Sequence, residues 1–138
     1  MLYLDTSAFL KLLVEEGHSG ELRSALEGES LWSSSLLDVE AHRAARRLGV
    51  DVGIVADLLD TVTIVAIAAQ TMIRARDVGV DTLRTLDALH LASALELVPD
   101  LEAVVTYDRR LAAGCDAEGC AVRTPGRPDN WWTSERDD

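Results

Sequence analysis

Residues 2–13, with the sequence LYLDTSAFLKLL, join an apolar strand-like run to a helical stretch at a single acidic residue, Asp5. The run before Asp5 is typical of a short buried strand, and the stretch after Thr6 has the apolar spacing of a helix. Because open α/β sheets bind ligands beyond the carboxyl ends of their strands, Asp5 is a candidate for a functional site. The alternative is that Asp5 or Thr6 caps the following helix.

Further strand-like runs alternate with helical segments along the chain. They lie at residues 30–34, 61–67, 101–108 and 120–124. Ser35 and Asp38 have the spacing of a capping box at the start of one helix, and Gly49 is a natural end for it. Thr85 is a plausible cap for another helix. The alternation predicts an α/β fold of three layers, with a mainly parallel sheet between helices. Right-handed crossovers would bring the carboxyl ends of the strands to one edge.

Composition and charge restrict the possible functions. A chain of 138 residues is expected to form one domain, which we place at residues 1–124, followed by an irregular C-terminal tail at residues 125–138. The formal net charge of −11 argues against binding nucleic acid through phosphate neutralisation alone. No apolar segment is long enough to span a membrane, and no positively charged region precedes the N-terminal apolar run. We therefore expect a cytoplasmic protein without a membrane partner.

Three further acidic residues occupy positions comparable to that of Asp5. Asp108 ends the run VVTYD as Asp5 ends LYLD, so a parallel sheet would bring both carboxylates to the same edge. Glu40 and Asp87 lie in the first halves of strongly helical segments. Asp87 is flanked by Leu and Ala residues, where a buried carboxylate needs a partner. For both helical acids the alternative is a favourable interaction with the helix N-terminus.

A cluster of these four acids would be unfavourable without a cation. Like charges at one site repel each other and push a carboxyl group towards neutrality. Mg²⁺ and Mn²⁺ prefer oxygen ligands, keep several waters, and bind through a few carboxylates together with substrate phosphate. The acids therefore predict a divalent-cation site that would attract phosphate despite the negative charge of the protein.

Four sequence blocks carry a resemblance to a known family. They are LDTSAFLKL around Asp5, SSLLDVEAHRAARR around Glu40, LRTLDALHLASAL around Asp87 and VVTYDRRLAAGC around Asp108. In this order and spacing they resemble the PIN-domain ribonucleases, and within them the VapC-type toxins of bacterial toxin–antitoxin pairs. The resemblance implies a PIN-like fold and a metal-dependent endoribonuclease that uses Mg²⁺ or Mn²⁺. It also implies a cognate antitoxin as protein partner, and a homodimer.

The resemblance also implies roles for individual residues. The implied catalytic and metal-binding acids are Asp5, Glu40, Asp87 and Asp108. Thr6 or Ser7, together with Thr106, would be polar groups close to the metal. Arg43 would partner an acid or a phosphate, with an ordinary charged helix face as the alternative. Arg109 directly follows the last acid, where it would contact substrate phosphate or pair with nearby acids.

The expected chemistry is hydrolysis of RNA phosphodiester bonds. A cation lowers the pKa of a bound water and offsets charge on the phosphate and the leaving oxygen, and in-line attack would leave a 5′-phosphate and a 3′-hydroxyl. Whether one or two metals act stays open. Because no side-chain nucleophile is needed, we expect His90 to be a packed, hydrogen-bonded histidine, with a general-acid role as the alternative.

Two other functions stay open at the level of the sequence. One is a housekeeping PIN nuclease in RNA processing, and the other is a non-enzymatic α/β binding module whose acids serve as helix caps. Cys115 and Cys120 are expected to be free thiols, with a local disulfide as the alternative. Trp131 and Trp132 are expected to pack against the domain or a partner, with stacking on unpaired bases as the alternative.

Overall fold

The sheet of this protein is entirely parallel. A computed structural model describes residues 1–134 of the chain. The strands in these residues are β1 (Leu2–Leu4), β2 (Leu31–Ser34), β3 (Thr63–Val65), β4 (Ala103–Val105) and β5 (Val122–Arg123). They form one sheet in the order β3-β2-β1-β4-β5, and every neighbouring pair is parallel.

Seven α-helices connect the strands within the described residues. They are α1 (Thr6–Leu13), α2 (Ser19–Leu26), α3 (Ser35–Leu48), α4 (Val52–Leu59), α5 (Ala69–Ala75), α6 (Thr85–Leu95) and α7 (Arg109–Ala117). A 3₁₀-helix at Trp131–Thr133 follows the last strand. Among residues 1–134, no helix combines the length and the apolar character needed to cross a bilayer.

The two faces of the sheet bury different sets of side chains, because successive strand residues point to opposite faces. Leu2 and Leu4 belong to a cluster on one face, where the buried side chains from α1 to α4 include Phe9, Leu22, Leu37 and Val55. Tyr3 and Val104 belong to a second cluster on the other face, where α6 and α7 contribute Leu91 and Leu111. Helices therefore cover both faces, and the predicted three-layer α/β fold is confirmed.

The carboxyl edge of the sheet is where several helices begin. β1 is the central strand, and its Leu2 lies opposite Leu31 of β2 and Ala103 of β4. Since all strands run in the same direction, three helices start at this edge. Helix α3 begins directly after β2, and α1 and α7 begin shortly after β1 and β4. The backbone N–H of Asp5 donates to the carbonyl of Val105 at 3.3 Å, which joins the ends of the two central strands.

Helix boundaries differ from the sequence prediction at two caps. Ser34 has extended backbone and is the N-cap of α3, so Ser35 is already helical and its hydroxyl instead accepts a hydrogen bond from the N–H of Ile67 (3.3 Å). Likewise Arg84 precedes α6, which begins at Thr85. Both predicted side-chain caps are therefore wrong. The predicted end of α3 is confirmed, because Gly49 adopts the left-handed conformation (φ 71°) at its C-cap.

The segment after β5 packs back onto the domain. Trp131 is 7% exposed, and its indole N–H donates to the hydroxyl of Thr124 at 2.8 Å. This tryptophan therefore packs against the domain body, as expected. The predicted tail spans residues 125–138, and its last four residues, 135–138, lie outside the part of the chain that the structure describes. Cys115 and Cys120 are free thiols.

Candidate active site

Asp5 is buried at the carboxyl end of β1 and has several hydrogen-bond donors. It is the N-cap of α1, where its Oδ1 accepts from the N–H of Ala8 at 3.0 Å. The hydroxyl of Ser7 lies 2.7 Å from Oδ1 and 2.9 Å from Oδ2, and that of Thr106 donates to Oδ2 at 2.6 Å. Burial raises the pKa of Asp5, although these bonds and the nearby His90 act in the opposite direction. The same carboxylate therefore caps a helix and lies at the candidate site.

Asp108 occupies the equivalent position after β4. It is the N-cap of α7 and its Oδ1 accepts from the N–H of Leu111 at 2.9 Å. Its own N–H donates to the hydroxyl oxygen of Thr106 at 3.0 Å. The buried Thr106 hydroxyl therefore bridges the ends of β1 and β4, because it donates to Asp5 and accepts from Asp108.

Glu40 lies in α3 and faces the start of α1 and the middle of α6. Its Oε1 accepts hydrogen bonds from the hydroxyl of Thr6 at 2.6 Å and from Nε2 of His90 at 2.8 Å. Burial alone would raise the pKa of Glu40, but the bonds from His90 and Thr6 outweigh it, and the pKa is lowered. Glu40 therefore stays ionised across the neutral range.

Asp87 lies in the first turn of α6 and is half-buried. Its carboxylate accepts no hydrogen bond from residues 1–134. Burial, followed by the charges of Asp108 and Asp5, raises the pKa of Asp87 to about 6, while His90 opposes the shift and Glu40 adds to it. The charges of the other three acids therefore act on Asp87, and among the described residues no hydrogen bond or ion pair stabilises its charged form.

The donor atoms of this cluster determine which kind of metal ion it suits. Within residues 1–134, no three His, Cys, Asp or Glu side chains are close enough to form a closed ligand set. Such a set suits a structural zinc ion, whereas Mg²⁺ keeps several waters and binds directly to only one or two carboxylates. The candidate ligands here are all carboxylate oxygens, and Asp87 has no hydrogen-bond donor among residues 1–134. This arrangement suits a hydrated Mg²⁺ or Mn²⁺, and it does not suit a metal ion that is fully coordinated by protein ligands.

Arg43 is exposed on α3, three residues after Glu40. Together with His42, Arg46 and Arg47 it lines an open cavity of about 550 Å³. Among the described residues, no hydrogen bond or ion pair joins Arg43 to an acid. Its predicted role with phosphate stays a prediction, and a position beside three other basic side chains is compatible with it.

Arg109 is directed towards the C-terminal segment. Its Nη1 donates to the carbonyls of Trp131 (3.3 Å) and Trp132 (3.1 Å) and to that of Ser134. Its guanidinium also lies 5.2 Å from the centre of the Trp131 ring. The contacts that the structure gives Arg109 therefore anchor residues 131–134, and its predicted contact with substrate stays a prediction.

Tyr3 is the residue of this region that sequence reasoning missed. It is completely buried, and its hydroxyl lies 2.8 Å from Nδ1 of His90. The available signal was a tyrosine inside a three-residue buried strand, because a buried tyrosine hydroxyl needs a partner. His90 is the packed, hydrogen-bonded histidine that was expected, with 2% of its surface exposed.

Comparison with known sequences identifies the family. The PIN domain family model matches residues 2–116. Ribonuclease VapC47 of Mycobacterium tuberculosis (strain CDC 1551 / Oshkosh) is 39% identical over 133 residues, which cover 91% of this chain and 98% of the relative. Ribonuclease VapC46 of Mycobacterium tuberculosis (strain ATCC 25618 / H37Rv) is 36% identical over 132 residues, which cover 90% and 97% of the two chains.

Solved structures share the fold at lower sequence identity. Mycobacterium tuberculosis VapC20, described as a sarcin-ricin loop cleaving toxin, aligns with a TM-score of 0.69 and 14% identity over 91% of this chain and 100% of its own. A toxin–antitoxin complex from Klebsiella pneumoniae aligns with a TM-score of 0.67 and 20% identity over 93% and 100%. The family match and the near-complete coverage of the sequence relatives lead to one conclusion: the chain is a PIN-domain protein and belongs to the VapC ribonuclease family.

Proposed function

We propose that this protein is a metal-dependent endoribonuclease that hydrolyses RNA phosphodiester bonds, and that it is the toxin of a cytoplasmic toxin–antitoxin pair. The observation behind this proposal is the raised pKa of Asp87, together with the lack of a hydrogen-bond donor to its carboxylate among the described residues. Burial and the charges of Asp108 and Asp5 raise its pKa to about 6, and its carboxylate has no donor among residues 1–134. A cation at this position would remove an unfavourable charge. The names of the sequence relatives support RNA as the substrate.

The residues that would hold a hydrated Mg²⁺ or Mn²⁺, directly or through its waters, are Asp5, Glu40, Asp87 and Asp108. When bound, a divalent cation supplies charge compensation at the phosphodiester and acidifies water near neutral pH. The chain itself orients the acids. Ser7 and Thr106 donate to Asp5, and Thr6 donates to Glu40, so two of the carboxylates are already oriented by hydroxyl groups.

The net charge of −11 requires that the substrate phosphate meets positive charge at the site. A divalent cation would supply this charge at the reacting phosphate. Further along the RNA backbone, we propose that Arg43 contributes, since it lies with Arg46 and Arg47 on an exposed helix face. Arginine suits this role because its guanidinium can donate two parallel hydrogen bonds to a phosphate.

An antitoxin and a second copy of the chain are the proposed protein partners. Solved structures of similar fold include a toxin–antitoxin complex, which supports an antitoxin. Large apolar side chains are exposed on adjacent helices, with Met72 at 56%, Ile73 at 54% and Leu86 at 48%. Apolar side chains in such numbers are typical of a surface that contacts another protein. Light scattering of the purified chain, with Met72→Glu as the variant, tests the homodimer: we expect a dimer that the variant weakens, and a monomeric wild type would overturn it.

The test of the proposed function is expression in a bacterium, followed by mapping of new RNA 5′ ends. The three chains to compare are wild type, Asp5→Asn and Asp57→Asn, where Asp57 is an exposed acid on α4 and serves as the control. We expect growth arrest and discrete new 5′ ends with wild type and with the control, and neither with Asp5→Asn. Equal cutting by Asp5→Asn would overturn the assignment of that residue.

Other outcomes would separate the alternatives. Discrete cutting without growth arrest would favour a housekeeping nuclease. No cutting by folded wild type, together with a melting temperature that Mn²⁺ leaves unchanged, would favour a non-enzymatic binding module, because a ligand of the native state raises apparent stability by mass action.

A further inference from the structure

Glu40 is held through one of its two carboxylate oxygens. Its Oε1 accepts two hydrogen bonds, from the Thr6 hydroxyl at 2.6 Å and from His90 Nε2 at 2.8 Å. Its Oε2 accepts none from residues 1–134. The Glu40 side chain is 24% exposed, so Oε2 is the oxygen left for a group that enters from solvent.

His90 is in turn held by Tyr3. The phenol hydroxyl lies 2.8 Å from Nδ1 of the imidazole, and the two rings meet edge to face with their centroids 5.8 Å apart. The hydrogen-bond network assigns the tautomer: Nε2 donates to a carboxylate, which has no proton to give, so Nδ1 accepts from the tyrosine hydroxyl. Both ring nitrogens are therefore engaged, and neither is left for a metal or a substrate.

The network links the elements that carry the acids. Tyr3 comes from β1, Thr6 from the first position of α1, and His90 from α6, three residues after Asp87. Thr6 and His90 contact Glu40 of α3 directly, and Tyr3 is linked to Glu40 through His90. A displacement of the imidazole would therefore change the orientation of Glu40 relative to the acids on the other elements.

We propose that Tyr3 and His90 are positioning residues that, with Thr6, orient Glu40 so that Oε2 faces the cation site and raise the affinity of the site for a divalent cation. This inference rests on the proposed function, because it concerns the same four acids. Its physical basis is general: partners that hydrogen-bond to a metal ligand fix its orientation, and their loss costs about 10- to 100-fold in metal affinity.

The test is calorimetric titration with Mn²⁺ in the absence of RNA. Tyr3→Phe removes only the hydroxyl, His90→Leu removes both ring nitrogens, and His90→Gln restores an amide that can donate to Glu40 and accept from Tyr3. His42→Leu is the matched control, because this imidazole lies on α3, the helix of Glu40, and among residues 1–134 its hydrogen-bond and ion-pair partner is Asp38. Melting of each variant without metal measures any purely structural effect.

We expect His90→Leu to raise the Kd for Mn²⁺ by about 10- to 100-fold, Tyr3→Phe to raise it less, His90→Gln to recover part of the loss, and His42→Leu to leave it unchanged. Equal Mn²⁺ affinity of wild type, Tyr3→Phe and His90→Leu would overturn the positioning role and leave the proposed function intact. A folded wild type that binds no Mn²⁺ would overturn both. If His90→Leu does not fold, unchanged affinity in Tyr3→Phe would overturn the positioning role.

Discussion

Asp5 and Asp87 are carboxylates of the same candidate site, and their surroundings differ sharply. Asp5 is 3% exposed and accepts hydrogen bonds from the N–H of Ala8 and from the hydroxyls of Ser7 and Thr106. Asp87 is half-buried and accepts none from residues 1–134. Burial raises the pKa of both. Residues 1–134 therefore supply hydrogen-bond donors to Asp5 and none to Asp87.

The difference follows from where each acid lies in its helix. An N-cap side chain folds back onto the first N–H groups of the helix, as Asp5 does on α1. Asp87 is the third residue of α6, whose N-cap Arg84 makes no side-chain cap, and its carboxylate accepts no hydrogen bond from residues 1–134 while the charges of Asp108 and Asp5 act on it. An uncompensated carboxylate costs stability, and sites of function commonly carry such a cost.

The largest expected effect is on RNA cleavage, where the two acids should behave alike. Asp5→Asn and Asp87→Asn each remove one negative charge that would hold the cation. We expect each to lower the cleavage rate by about 10²-fold or more. Rates of the purified variants on one RNA substrate, at fixed Mn²⁺, provide the measurement. A wild-type rate in either variant would exclude that residue from the reaction.

Stability should separate the two acids. Asp5→Ala removes the cap of α1 and the acceptor for the Ser7 hydroxyl and the buried Thr106 hydroxyl, so we expect the free energy of unfolding to fall by about 2–3 kcal/mol. Asp87→Ala removes no hydrogen bond within residues 1–134 and relieves a charge that the folded state disfavours, so we expect the free energy of unfolding at neutral pH not to fall and to rise by up to about 1 kcal/mol. Urea unfolding at neutral pH measures both. Similar losses at the two positions would contradict the contrast between them.

Thr106 supplies the hydroxyl that compensates Asp5. Thr106→Val keeps the shape but removes the donor to Asp5 and the acceptor for the N–H of Asp108, and we expect it to cost about 1–2 kcal/mol. Thr106→Ser keeps the hydroxyl and is the matched control. If the two variants unfold at the same urea concentration, the bridging hydroxyl contributes nothing to stability.

The smallest expected effect is the pH dependence of stability that arises from the charge of Asp87. Its pKa is about 6 in the folded protein and 3.8 ordinarily, so the folded state binds this proton more tightly and loses stability as pH rises through about 6. The full change in the pKa of Asp87 corresponds to about 3 kcal/mol in the free energy of unfolding. Solvent screening of this half-exposed group reduces the expected effect to about 1 kcal/mol. We expect Asp87→Asn to melt higher than wild type at pH 7.5, by a few degrees, and to melt at the same temperature near pH 4. A difference that is independent of pH would contradict this.

The sequence was sufficient to predict that Asp5 and Asp108 follow strands that end at the same edge of the sheet. Asp5 and Asp108 each follow a strand, and a parallel sheet brings the ends of its strands to one edge, so topology alone places them together. The resemblance to PIN-domain ribonucleases added Glu40 and Asp87. The sequence did not reveal which acid has donors, because that depends on whether a side chain lies at the N-cap or within the first turn.

Contacts between distant segments were beyond sequence reasoning. Tyr3 and His90 are 87 residues apart, and their hydrogen bond exists only because α6 packs on the face of β1 that carries Tyr3. Arg109 likewise gains its carbonyl partners only when the segment after β5 folds back. The predicted caps at Ser35 and Thr85 were wrong for a local reason. The preceding residues, Ser34 and Arg84, already have the extended backbone of an N-cap, so each helix begins one residue earlier than predicted.

The central claim is that the uncompensated charge of Asp87 marks a divalent-cation site. The most direct test is the melting temperature of wild type and of Asp87→Asn at pH 7.5, with and without Mn²⁺. At 100 times the Kd, a ligand of the native state adds about 2.7 kcal/mol, so Mn²⁺ should raise the melting temperature of wild type by several degrees and that of Asp87→Asn far less. A wild type that Mn²⁺ leaves unchanged, or an equal rise in both proteins, would contradict the account.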